Sequence, residues 1–201
     1  MRCYSRLRDS SKARALLPRI DQLELRDLLS VIVGPTPTAE ATARPMYDLA
    51  PLVTNTSPPS GAYTPSQISQ AYGFNKISFG SVIGDGTGQT IAIVDAYDHP
   101  YIQSDLDIFS AQFGLPSTTI TKVNQTGGTT MPGIDSTGAW GLEIALDVQW
   151  AHAMAPGASI LLVEANSASQ SDLMTAVSYA AAHADVVSMS WGGSEFAGVT
   201  S

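Results

Sequence analysis

Three short apolar runs stand out from residue 90 onward: Thr90-Ile-Ala-Ile-Val-Asp95, Ser159-Ile-Leu-Leu-Val-Glu164 and Asp185-Val-Val-Ser-Met-Ser190. Each is continuous rather than alternating, the pattern of a strand covered on both faces in a parallel sheet. Between them, apolar residues recur at the spacing of helical turns. Residues 101–113 carry them at 102, 106, 109 and 113, residues 141–154 form a second such stretch closed by Pro156-Gly157, and residues 171–183 form a third that opens on Ser171 and Asp172. Upstream, Thr64-Pro-Ser-Gln-Ile-Ser-Gln-Ala-Tyr combines a cap residue with proline at the first helical position, and so predicts a helix start. Strands alternating with helices predict an α/β fold with a parallel sheet and right-handed crossovers. In such sheets functional groups gather beyond the carboxyl ends of the strands, where Asp95 and Ser190-Trp191-Gly192 fall.

The first third of the chain lacks this order. Residues 20–29 allow a short amphipathic helix, and residues 34–61, rich in Pro, Thr, Ser and Ala, read as an extended linker with no core of its own. The expected organisation is therefore a poorly structured segment over 1–61 followed by a folded domain over 62–201. Charge divides at the same place. Residues 1–62 hold eight of the ten Lys/Arg and six of the eighteen acids, whereas residues 63–201 hold Lys76 and Lys122 against twelve acids. An acidic domain repels phosphate backbones, which argues against a nucleic-acid partner. No run of 18 apolar residues is present, which argues against a membrane helix, and the basic N-terminal stretch is too interrupted by charges to form an export signal. Cys3 has no second cysteine to pair with.

The chemistry concentrates in Trp140-Gly-Leu-Glu143-Ile-Ala-Leu-Asp147-Val-Gln-Trp150. Glu143 and Asp147 are four residues apart, which puts both carboxylates on one helix face. Their neighbours are so apolar that the helix is expected to be buried nearly all round. Two like charges in such a setting titrate as a coupled unit with one raised pKa, giving a base usable in acid. On spacing alone the same pattern also fits a helix with two solvated acids.

Three segments in order resemble the subtilisin plan: Ile91-Ala-Ile-Val-Asp95, the helix leading into Met154-Ala-Pro-Gly-Ala-Ser-Ile-Leu-Leu-Val, and Val186-Val-Ser-Met-Ser-Trp-Gly-Gly193. Subtilisins open that helix with a catalytic histidine, whereas here Glu143 holds the place. The Glu-x-x-x-Asp helix followed by Ala-Pro-Gly-Ala, with Tyr63-Thr-Pro-Ser-Gln-Ile-Ser-Gln-Ala-Tyr-Gly-Phe74 upstream, resembles the sedolisin (serine-carboxyl peptidase) family in its kumamolisin-like form, over roughly residues 62 to 197. The resemblance implies a subtilisin-like doubly wound parallel sheet, here truncated, and a serine-type endopeptidase acting in acid. It implies that Glu143 takes the proton from a serine nucleophile, with Asp147 orienting it. By the same resemblance Asp95 matches an acid, usually Glu in the family, that stands behind the catalytic pair, and Trp191 a tryptophan of the same hydrogen-bond chain. Ser190, Trp191, Gly192 and Gly193 would bind an extended polypeptide substrate as an added strand.

The family's Gly-Thr-Ser nucleophile segment and its Gly-Asp-Ser-Gly oxyanion turn do not occur before Ser201, so the chain is expected to be inactive by itself. The family's calcium site also belongs to that later part, leaving no cofactor expected in this chain. An extracellular location follows from the resemblance, with oligomeric state left open. Two rival readings stand beside the peptidase: a non-catalytic peptide-binding remnant, and a non-functional gene fragment. Other signals read as structural. Gly84-Asp-Gly-Thr-Gly88 precedes its strand, which suits a turn rather than a phosphate loop, and His99, His152 and His183 are scattered.

Overall fold

A computed structural model describes residues 41–45 and 61–193. The expected helix over 20–29, most of the expected linker and the terminal Gly198-Val-Thr-Ser201 lie outside the described residues. The principal sheet has four parallel strands: β4 (Thr90–Ala96), β5 (Ile120–Asn124), β6 (Ser159–Ala165) and β7 (Val186–Ser188), in the order β5-β6-β4-β7. Between them run helices α2 (Ile102–Phe113), α3 (Ala139–Met154) and α4 (Gln170–His183). Helix α1 (Pro65–Tyr72) precedes the sheet, capped as its sequence predicts: the Thr64 side chain accepts from the Gln67 amide while Gln67 reaches back to the Thr64 amide. The expectation of an α/β fold built on a parallel sheet is met.

The two central strands are apolar for opposite reasons on their two faces. Ala92, Val94 and Ala96 of β4 and Leu161, Val163 and Ala165 of β6 pack with Leu173, Ala176, Val177 and Ala180 of α4. Ile93 of β4 and Ile160 and Leu162 of β6 pack with Ile102 and Leu106 of α2 and Ile144 and Val148 of α3. Helices on both faces explain why these strands read as unbroken apolar runs. Small alanines and valines on one face let α4 sit close, and the larger side chains fill the space under α2 and α3.

Helix α3 is less enclosed than its composition suggests. Trp140, Glu143, Ile144, Val148, His152 and Ala153 are buried, while Leu142, Leu146 and Asp147 are half-buried. One stripe faces the sheet and the others meet looser packing. Gly84-Asp-Gly-Thr-Gly88 is a turn, as expected: Asp85 accepts from the Thr87 amide, and Gly86, at φ +86°, lies against Ala155 and Ala158.

Several short elements have no counterpart in the sequence reading, among them edge strand β5 and a 3-10 turn over Phe74–Lys76. Ser78–Phe79 (β2) and Val82–Ile83 (β3) make an antiparallel hairpin. Arg44–Pro45 (β1) pairs antiparallel with Trp191–Gly192 (β8). The β1 pairing shows where part of the 34–61 stretch, expected to have no core of its own, meets the folded domain. Residues 41–43 extend it, with Ala43 donating its amide to Ala168, Thr42 bridging Ser169, and Gln170 donating to Ala41. Backbone groups freed at the start of α4 and at the β8 edge are satisfied by this segment, which overrides its loop-forming composition.

Candidate active site

Parallel pairing aligns β4 and β6 residue for residue, Thr90 with Ser159 through Asp95 with Glu164 and Ala96 with Ala165. Both strands therefore end their apolar runs in a carboxylate at the same level. Side chains two apart share a face, so Asp95 follows Ile93 and Glu164 follows Leu162 onto the side covered by α2 and α3. Across from them, α3 contributes Glu143 and Asp147, one turn apart. The result is an acidic group at the carboxyl ends of the central strands, with Asp95 and Glu164 fully buried and Glu143 2 % exposed.

Burial governs the electrostatics. Desolvation pushes the Asp95 carboxyl well above its ordinary value, and the neighbouring carboxylates of Asp147, Glu143 and Glu164 push it further. Neither Asp95 oxygen has a hydrogen-bond partner among the described residues. Desolvation likewise raises Asp147, against a hydrogen bond from the Ser190 side chain that lowers it. Burial carries Glu164 to about 7, opposed by the His99 amide and by Lys122. Carboxyl groups held this far up the scale can keep or exchange protons where free ones have lost them, as acid–base chemistry on carboxylates requires.

The backbone turns sharply above this group. Tyr97 has φ +67°, the one described non-glycine residue with positive φ, and its amide donates to Ala165 at 2.9 Å. A side chain in that conformation is strained, and such positions recur where a chain must change direction beside a functional site. The turn brings Asp98 and His99 back over β6, where the His99 amide donates to Glu164 Oε1 at 3.0 Å.

The structure brings Glu143, Asp147, Asp95 and Ser190 into one neighbourhood, through the carboxylate couplings and the Ser190–Asp147 hydrogen bond. Trp191 is oriented differently from the expected chain: its indole N–H donates to the Val94 carbonyl at 2.7 Å, one residue before Asp95, and not to a carboxylate. Trp191 and Gly192 pair with Pro45 and Arg44, so an intramolecular strand lies on the segment expected to receive substrate. Glu164 was missed. Its signal was present, because Ile-Ala-Ile-Val-Asp and Ile-Leu-Leu-Val-Glu end alike.

The histidines are placed structurally. His152 is buried with Nε2 2.8 Å from the Pro116 carbonyl, His183 stacks on Tyr179, and His99 Nε2 lies 3.3 Å from Asp105. Among the described residues no three His, Cys, Asp or Glu side chains are arranged to hold a metal ion.

The chain is 35% identical over 137 residues to kumamolisin from Bacillus sp. (strain MN-32), a match spanning 67% of this chain and 23% of that protein. It spans under a quarter of the length of that curated relative. The solved structure of Pseudomonas sedolisin, a serine-carboxyl proteinase complexed with two molecules of pseudo-iodotyrostatin, is 26% identical, covering 49% of this chain and 28% of its own, at a TM-score of 0.42. No family model matches the chain. The chain belongs to the sedolisin family of serine-carboxyl peptidases. Within that family it is kumamolisin-like and corresponds to part of the catalytic domain.

Proposed function

We propose that this segment supplies the acid–base half of a serine-type endopeptidase that works in acid. The observation that carries the reading is the placement of Glu143, buried on α3 one turn before Asp147 and facing Asp95 at the end of β4. In this reading Glu143 takes the proton from a serine hydroxyl contributed by a part of the protein outside this chain. Asp147, held by Ser190, orients and supports it, and Asp95 lies behind the pair. A carboxylate base suits acid conditions because a histidine would already be protonated there. The substrate is an extended polypeptide that pairs with Ser190, Trp191, Gly192 and Gly193 in place of Arg44–Pro45. Neither nucleic acid nor a membrane belongs to this reading: the domain is acidic, and no described helix is long and apolar enough to cross a bilayer. The same reading places the protein in an extracellular setting, on the strength of its likeness to kumamolisin.

A second reading has its own support. The β8 edge already accepts an extended segment, so capture of a peptide without turnover uses the same backbone groups. The test is a chimera in which this segment replaces the corresponding part of kumamolisin. A folded chimera should hydrolyse denatured protein in acid and lose roughly 10³-fold in kcat with Glu143→Gln. A folded chimera that binds peptide without hydrolysis supports the second reading, and full activity in the Glu143→Gln chimera overturns the first.

A further inference from the structure

Asp95 and Glu164 are register partners on adjacent parallel strands and project to the same face. Adjacent strands lie about 4.8 Å apart, so these two carboxyl groups are close and share a site from which water is excluded. Two carboxylates so placed do not both ionise freely: the charge on one raises the cost of charging the other, so they lose their protons in sequence. Which residue keeps it is decided by what each can touch. Glu164 Oε1 accepts the His99 amide at 3.0 Å and lies 3.7 Å from Lys122 Nζ, whereas neither Asp95 oxygen has a partner among the described residues. Among the described residues the charged groups acting on Asp95 are acidic: Asp147 and Glu143 from α3, and Glu164 from β6. The groups facing Glu164 are mixed, with Lys122 from β5 and Asp98 from the turn after β4. Lys122 also contacts Asp98 Oδ1 and the His99 carbonyl, and His99 in turn meets Asp105 of α2, so the cation is anchored beside Glu164.

We infer that Glu164 is a positioning residue for the carboxylate site: tethered to Lys122 and the His99 amide, it is the member of the buried pair that takes the negative charge, and so it keeps the proton on Asp95. Glu164 keeps its own proton in acid, so both members of the pair are neutral behind Glu143 and Asp147 there; as pH approaches 7 Glu164 ionises, and its charge then holds the proton on Asp95. The catalytic pair faces an uncharged neighbour instead of a third anion, and ionising Glu143 is easier for it. Both carboxyls are pushed upward by burial, but Glu164 is drawn back by the His99 amide and Lys122, whereas the charged neighbours of Asp95 push it further up, which fits this order. The bearing on catalysis rests on the peptidase reading above. The location of the proton does not, and it is read without turnover.

The experiment is a carbon-detected NMR titration of the side-chain carboxyls of Asp95 and Glu164 in the full chain. In the wild type Glu164 should lose its proton first and Asp95 only at higher pH. In Glu164→Gln, checked for an unchanged amide spectrum, the Asp95 titration should fall by about one unit or more because the adjacent anion is gone. In Lys122→Met the Glu164 titration should rise. If Asp95 ionises before Glu164 in the wild type, or holds its value in a folded Glu164→Gln chain, the inference is wrong. The wild-type order decides the matter by itself should either variant fail to fold, and a normal order in a chain whose chimera shows no peptidase activity would leave the inference standing while removing the functional reading.

Discussion

The two faces of the central strands differ in one respect that explains the site. Under α4, β4 and β6 are apolar from Ala92 and Leu161 onward, closing in Ala96 and Ala165. Under α2 and α3 the same strands begin apolar, with Ile93, Ile160 and Leu162, and end in Asp95 and Glu164. One face spends its burial wholly on packing. The other gives up two core positions to carboxylates whose desolvation raises their pKa values. Fold stability and acid–base chemistry thus share the strands but not the face, and changes on the two faces should separate them.

The largest expected effect falls on the acidic face. In a folded chimera with kumamolisin, Glu143→Gln should lower kcat by roughly 10³-fold while leaving the melting temperature nearly unchanged; steady-state kinetics beside calorimetry checks both. Asp147→Asn should cost less, since Asp147 supports the base rather than accepting the serine proton. On the other face the pattern inverts. Leu173→Ala opens a cavity among Ala92, Val163 and Val177 and should destabilise the chain by about 2–5 kcal/mol, measured by denaturant unfolding, with kcat per folded molecule preserved.

The pH dependence of stability tells the faces apart more finely. Glu164 is raised from 4.5 to about 7 in the folded state. A raised carboxyl binds its proton more tightly folded than unfolded, so its contribution is fully present below about pH 4.5 and is lost as pH rises toward 7. The folded chain should therefore lose roughly 3 kcal/mol across that window from this group, and Glu164→Gln should flatten the slope. Melting curves at intervals from pH 4 to 8 for both chains check this. The smallest effect belongs to the β1 segment: replacing residues 41–45 with Gly-Ser residues should lower KM for peptide substrates in the chimera several-fold with kcat little changed, because the β8 edge is vacated.

How much of this the sequence reveals depends on how much each element relies on distant partners. β4, β6, α2, α3 and α4 carry their own periodicity, and the structure places them within a residue or two of the sequence-based bounds. β5, Ile-Thr-Lys-Val-Asn, lies at the sheet edge, mostly half-buried, so its polar residues hide the strand pattern. Arg44–Pro45 has no strand signal because its partner lies almost 150 residues on, at Trp191 and Gly192. The Glu143/Asp147 pair is readable from a four-residue spacing. Glu164 becomes visible only when two runs are laid side by side in register, which is a property of the sheet and not of either strand.

In the proposed mechanism a carboxylate does the work of a histidine, and the pH–rate profile of the folded chimera tests that most directly. Asp147 and Asp95 are both raised above ordinary aspartate, and Glu143 must be ionised to accept a proton while another carboxylic acid stays protonated to donate one. The profile of kcat/KM should be a bell in acid, centred at about pH 3 to 5, with both limbs set by carboxyl groups. An optimum near pH 8, reached through a single limb at about 6.5 as for an imidazole, would contradict it.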